Sequence, residues 1–117
     1  GIMTAAPYEV MDDDHWAFVG TGLSNEDIFG EECLHMRIPG GASGHETDKI
    51  SDKYSPKNVE LLARGTNADG GGADMVVHEP DGGGAVFSSG SITYISSLLV
   101  CDNVSRVTAN VVRRFLQ

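Results

Sequence analysis

Two carboxylates and an imidazole stand close together in the glycine-rich stretch Gly40-Gly41-Ala42-Ser43-Gly44-His45-Glu46-Thr47-Asp48. A carboxylate such as Glu46, set beside an activated water, can take its proton or hold it in line. His45 and Asp48 are within reach of the same pocket, and the glycines at 40, 41 and 44 allow backbone to approach a ligand closely. The plainer reading is a surface loop with solvated charges whose glycines serve only to turn. On the residues alone both readings stay open.

A second pair, His15 and Trp16, precedes the turn Gly20-Thr21-Gly22 and could line a binding pocket. A tryptophan so placed more often anchors a core, its indole N–H bonded to backbone. His35 alternates with strand residues and His78 closes a strand; both read as polar-face or hydrogen-bonded histidines rather than ligands. His15, His45 and Glu46 lack the H-x-x-x-H or H-E-x-x-H spacing of a metal helix, so no metal ligand is assigned. Ser88-Ser89-Gly90-Ser91 lacks the G-x-S-x-G frame of a nucleophile elbow and is better explained by close packing at a strand end. The glycine run 82–84 precedes a strand, whereas a phosphate loop precedes a helix, so no nucleotide site is indicated.

The elements that must position these groups centre on residues 73–91. Met75, Val76 and Val77 lead into Pro80-Asp81-Gly82-Gly83-Gly84, and Ala85, Val86 and Phe87 run back. That pattern predicts a β-hairpin around a glycine turn. Apolar residues at adjacent positions on both arms predict that both faces are covered, as in a layered α/β sheet. Residues 58–65 read as a third strand beside the hairpin, and Cys33 to Ile38 as another. Residues 92–100 fit either a short strand or a helical turn. Val104, Val107, Val111, Val112 and Phe115 form a stripe at helical period, predicting a C-terminal helix over 103–116, started by Asp102 or Asn103, that covers the sheet. Residues 1–14 read as a flexible opening segment in which only Tyr8 and Val10 suggest a strand, and 15–117 as a single domain. The expected fold class is thus α/β, a layered central sheet under a helix.

Composition narrows the partners. Seventeen acidic against eight basic residues give a net charge of −9, which repels phosphate backbones and anionic membranes. No nucleic acid is expected. No apolar run reaches the ~20 residues that span a bilayer, so no membrane partner is expected either. The two cysteines, Cys33 and Cys101, have no C-x-x-C companion and read as reduced thiols of a cytoplasmic protein. Gly1-Ile2 ahead of Met3 reads as a cloning remnant, with the natural polypeptide expected to extend upstream.

Taken in order, His15-Trp16-x-Phe18-x-Gly20-Thr21-Gly22-Leu23, the 40–48 stretch, Ala73-Asp74-Met75 with 84–91, and Val104-Ser105-Arg106-Val107-Thr108-x-Asn110-Val111-x-x-Arg114-Phe115 resemble one family. It is the C-terminal region of the large (beta) subunit of N,N-dimethylformamidase and its relatives, and the resemblance spans roughly residues 15–116. It implies a partial glutamine-amidotransferase-like, flavodoxin-like architecture within a larger amidohydrolase. It further implies an iron in the parent protein, held by two tyrosines and a glutamate from upstream sequence. Tyr8, Tyr54 and Tyr94 offer no secure match to those ligands, so no cofactor is assigned to this chain. The relatives carry an acidic residue in the glycine-rich stretch, which favours Glu46 as the catalytic group, with His45 beside it. Asp48 and, from the residues themselves, His15 and Trp16 are the candidate binding residues.

The leading expectation is therefore a C-terminal domain of a metal-dependent amidohydrolase, inactive alone, that supplies part of a pocket for cleaving a small amide C–N bond. Its partner would be the upstream domain of the same polypeptide or a second copy of the chain. The alternatives are a non-catalytic structural or oligomerisation module and a free-standing small-ligand binding protein.

Overall fold

The computed structural model describes residues 4–34, 40–44, 47–53 and 55–117. A five-stranded antiparallel sheet is built from β2 (Tyr8–Val10), β3 (Ile28–Phe29), β5 (Glu60–Gly65), β6 (Asp74–His78) and β7 (Val86–Ser88), in the order β3-β2-β5-β6-β7. A smaller ladder joins β1 (Ala5–Ala6) to β4 (Ser43–Gly44). Two helices follow the last strand, α1 (Tyr94–Ser97) and α2 (Asp102–Phe115).

The hairpin forms as the sequence predicts: β6 and β7 pair with Val77 opposite Phe87, and Gly82, Gly83 and Gly84 all take positive φ in the turn. The third strand lies beside it, with Glu60 opposite Val77. A register shift between Leu61 and Ala63 lets two consecutive residues, Leu62 and Ala63, both be buried. Residues 92–100 resolve as a helical turn, α1, rather than a strand.

One sheet face carries Met75 and Val77 and packs with Tyr8, Val10 and Phe29 against Val104 and Val107 of α2. The buried stripe of α2 is narrower than the sequence implies. Val104, Val107 and Val111 are covered, while Val112 and Phe115, at its margin, stay partly open to solvent. Cys101, with an extended backbone, occupies the N-cap in place of Asp102 or Asn103, and Asp102 sits in the first turn, where the helix dipole favours an acid.

The short strand suggested by Tyr8 and Val10 forms as β2, an inner strand between β3 and β5, and Tyr8 is fully buried. Two expectations are corrected. Every described ladder is antiparallel, whereas a flavodoxin-like layer is parallel. On the second sheet face the described residues 48–50, 55, 56 and 59 stand where a helical layer was expected, and Val86 remains 57% exposed. Of the strand expected over 33–38, Cys33 and Leu34 are irregular and the rest lies outside the described residues. The chain thus has a mixed α/β fold with antiparallel sheets and a C-terminal helix. No described helix is long and apolar enough to cross a membrane.

Candidate functional site

His45 and Glu46 lie outside the described residues, but the backbone on both sides of them is tightly held. Ser43 and Gly44 pair with Ala6 and Ala5. The Ser43 hydroxyl, fully buried, donates to Asn67 Oδ1 at 2.7 Å and accepts from the Ala73 N–H at 3.0 Å. Asn67 in turn donates to the Ser43 carbonyl at 2.9 Å. The Gly44 N–H donates to Ser91 Oγ at 2.8 Å, and Thr47 bridges the same serine while its hydroxyl reaches the Gly71 carbonyl at 2.7 Å. Asp48 continues the attachment through its backbone, its N–H on the Gly90 carbonyl and its carbonyl on the Asp74 N–H, at 2.7 and 2.9 Å. Its side chain is exposed.

The glycines of this stretch serve a purpose other than ligand approach. A Cβ on Gly41, at φ +147°, would strike the Ala6 backbone, and one on Gly44 would lie 2.5 Å from Ala5 Cα. β1 fills the space that a ligand was expected to use.

Residues 48–50, 55, 56 and 59 form one wall of a half-open pocket of about 210 Å³ on the open sheet face. Alternation along β6 sends Met75 and Val77 to the core and Asp74, Val76 and His78 to this cavity. Asp74 is buried and its carboxylate is committed twice, to Arg64 Nε at 3.0 Å and to the Ile50 N–H at 2.8 Å. His78 Nδ1 is buried without a hydrogen-bond partner. Sequence reasoning read His78 as a polar-face or hydrogen-bonded histidine and gave Asp74 no role of its own, although strict alternation from Met75 would have put both on one face with Val76.

His15 and Trp16 stand elsewhere, on the face that carries α2. His15 Nδ1 accepts from the Ala17 N–H at 3.1 Å and caps the 3-10 turn Trp16–Phe18. Nε2 lies 3.2 Å from Glu60 Oε2 without the alignment of a hydrogen bond. Trp16 is half-buried; its indole donates to Glu79 Oε1 at 3.3 Å, and Arg114 lies 5.2 Å above its ring while pairing with Glu79 Oε2 at 3.2 Å. The expected anchoring role fits, with a carboxylate in place of a backbone partner. The fold does not bring His15 or Trp16 to Asp48.

Tyr8 and Tyr94 are the described tyrosines, and neither fits a metal-bound phenolate. Tyr8 donates to the Ser89 carbonyl at 2.6 Å. Tyr94 donates to Thr108 Oγ1 at 2.7 Å, since the Thr108 hydrogen is already given to the Val104 carbonyl. Burial first, and then the neighbouring Tyr94, hold the Tyr8 hydroxyl far above the usual range. Burial pushes Tyr94 up to about 12, the Thr108 hydrogen bond opposing it. Tyr54 lies outside the described residues.

These two hydroxyls predict an alkaline limit to stability. An acid whose folded pKa is raised keeps its proton longer folded than unfolded, so stability is whole below the unfolded value near ~10 and falls above it. For Tyr94 that loss runs as pH rises through about 12. Circular dichroism across this range should show a shallower decline in Tyr94→Phe than in the parent chain; identical profiles would contradict the assignment.

The sequence model of the family described as N,N-dimethylformamidase beta subunit-like, C-terminal, matches residues 1–106. No curated protein matches the chain.

Proposed function

Because the chain belongs to the N,N-dimethylformamidase beta subunit-like C-terminal family, we propose that it is the C-terminal domain of an amidohydrolase and helps to hydrolyse a small amide C–N bond. Glu46 acts as the general base toward the attacking water, His45 shares the proton, and Asp48 holds the segment's outgoing end against the sheet. The observation that carries this reading is the double attachment of the 42–50 segment: Ser43, Gly44, Thr47 and Asp48 are each bonded to β1, to the 66–73 connection or to 89–91. Held flanks at Ser43, Gly44, Thr47 and Asp48 are the kind of support that a catalytic segment draws from its scaffold. The remainder of the pocket and any iron belong in this proposal to the rest of the subunit. A cytoplasmic location accompanies it.

Purified alone, the chain should release no amine from dimethylformamide above background, while the subunit that carries it should. Turnover by the isolated chain would overturn the division of labour.

A second reading, a docking module, is favoured by one observation. Leu34 is tied beside α1 through its N–H on the Ser96 carbonyl at 2.8 Å, and Ile92, Ile95 and Leu99 are exposed nearby. In this reading Ile95→Asp with Leu99→Asp weakens assembly with the rest of the subunit but spares the fold; co-purification at parental yield would reject it.

A further inference from the structure

The exposed apolar surface beside α1 meets an acidic groove. Ile95 and Leu99 are 72% and 87% exposed one turn apart, and Leu34 is tied beside them by its N–H on the Ser96 carbonyl. Val100, 40% exposed, follows Leu99 and lines a groove with Ile28, Glu31, Glu32 and Asp102. From Gly82 to Cys101 no residue is charged, so the centre of this surface lacks the charges that keep the rest of the chain solvated. The charges at its edge have one sign. Among the described residues no cation lines the groove, and none of Glu31, Glu32 and Asp102 takes part in an ion pair. An apolar centre with a charged rim is the composition of a protein interface.

We infer that this surface docks on a part of the rest of the subunit whose apolar centre is ringed by lysine or arginine. The inference rests on the docking reading above and adds the chemistry of the partner. The family is a C-terminal one, so the surface held at high effective concentration is the rest of the subunit. An acidic rim attracts a basic surface and repels an acidic one. A second copy of the chain is the poorer occupant. In a two-fold pairing of identical faces Glu31, Glu32 and Asp102 would meet the same three residues, on chains that each carry a net charge of −9. The like charges work against self-association while leaving the domain free to seat on a basic surface.

The test uses the whole subunit with a protease site ahead of this domain, cut after folding. Association of the two pieces is then measured by sedimentation at about 0.05 M and about 0.5 M salt, where screening is weak and strong. The cut domain should stay bound at low salt and bind less tightly at high salt. Glu31→Gln with Glu32→Gln should weaken binding roughly 3- to 10-fold at low salt and make little difference at high salt. Glu31→Lys with Glu32→Lys should weaken it further, and both pairs, being exposed, should leave the melting temperature unchanged. If Ile95→Ser with Leu99→Ser leaves the pieces associated as in the parent, the docking reading falls and this inference with it. If that pair releases the domain but salt and the glutamate variants change nothing, docking stands and the basic partner is overturned. A released domain that sediments as a dimer overturns the choice of partner in favour of a second copy.

Discussion

Gly65→Ala is expected to destabilise the domain by about 2–6 kcal/mol, a large part of the ~5–15 kcal/mol that a domain of this size has in total. Gly65 ends β5 opposite Tyr8 and donates its N–H to the Ala73 carbonyl at 2.8 Å. A Cβ there would collide with the Ser43 hydroxyl and come within 2.8 Å of the Ala73 nitrogen. Ser43 has nowhere to move, being fully buried and bonded to both Asn67 and Ala73. Two costs add: overpacking, ~1–3 kcal/mol, and a buried N–H left unpaired, ~1–3 kcal/mol. Gly82→Ala is the comparison. It shares positive φ with the turn but has open space around it, so it should cost only about 1 kcal/mol. Thermal unfolding of both variants checks this. A Gly65→Ala midpoint no lower than that of Gly82→Ala would remove Ser43 from the role given to it. The effect also reaches the candidate site, because Ser43 and Gly44 hold the incoming end of the 42–50 segment.

What could be read in advance follows from range in sequence. The hairpin was legible because its whole signal is local, paired valines around a glycine turn. The strand read over residues 58–65, which forms over 60–65, was legible as a local apolar run, and the C-terminal helix because its stripe repeats at helical period. β2 was harder: three residues, only Tyr8 and Val10 apolar, joined to partners some twenty and more than fifty positions away. Periodicity carries no information about such pairings. β1 and β4 contain alanine, serine and glycine, so their ladder leaves almost no apolar trace. For the same reason Gly40, Gly41 and Gly44 looked ready for a ligand when they make room for β1.

The candidate site divides in the same way. Glu46, His45 and Asp48 stood out because charged groups among glycines are conspicuous in a sequence. His78 and Asp74 did not, because their importance comes from sharing a face with Val76 under a segment some twenty positions upstream. His15 and Trp16 were grouped with Asp48 by chemical type, yet the sheet separates them: His15 meets Glu60, and Trp16 meets Glu79 and Arg114.

Glu46→Gln in the subunit that carries this domain is the second change with a large expected effect. Glutamine keeps the size and hydrogen-bonding reach of the side chain but cannot accept a proton, so a general base is removed with little change in packing. Loss of such a group typically lowers turnover by ~10²–10⁴-fold. The 42–50 segment is held by Ser43, Thr47 and Asp48, none of which is altered, so the melting temperature should stay with the parent protein. Glu46→Asp, which retains the base on a shorter arm, should recover part of the rate. The measurement that tests the account most directly is therefore kcat for release of amine from a small amide, compared among parent, Glu46→Gln and Glu46→Asp subunits of equal thermal stability. The account predicts a fall of at least about 100-fold in Glu46→Gln with partial recovery in Glu46→Asp. Parental turnover in Glu46→Gln would contradict it and leave the domain as a docking module.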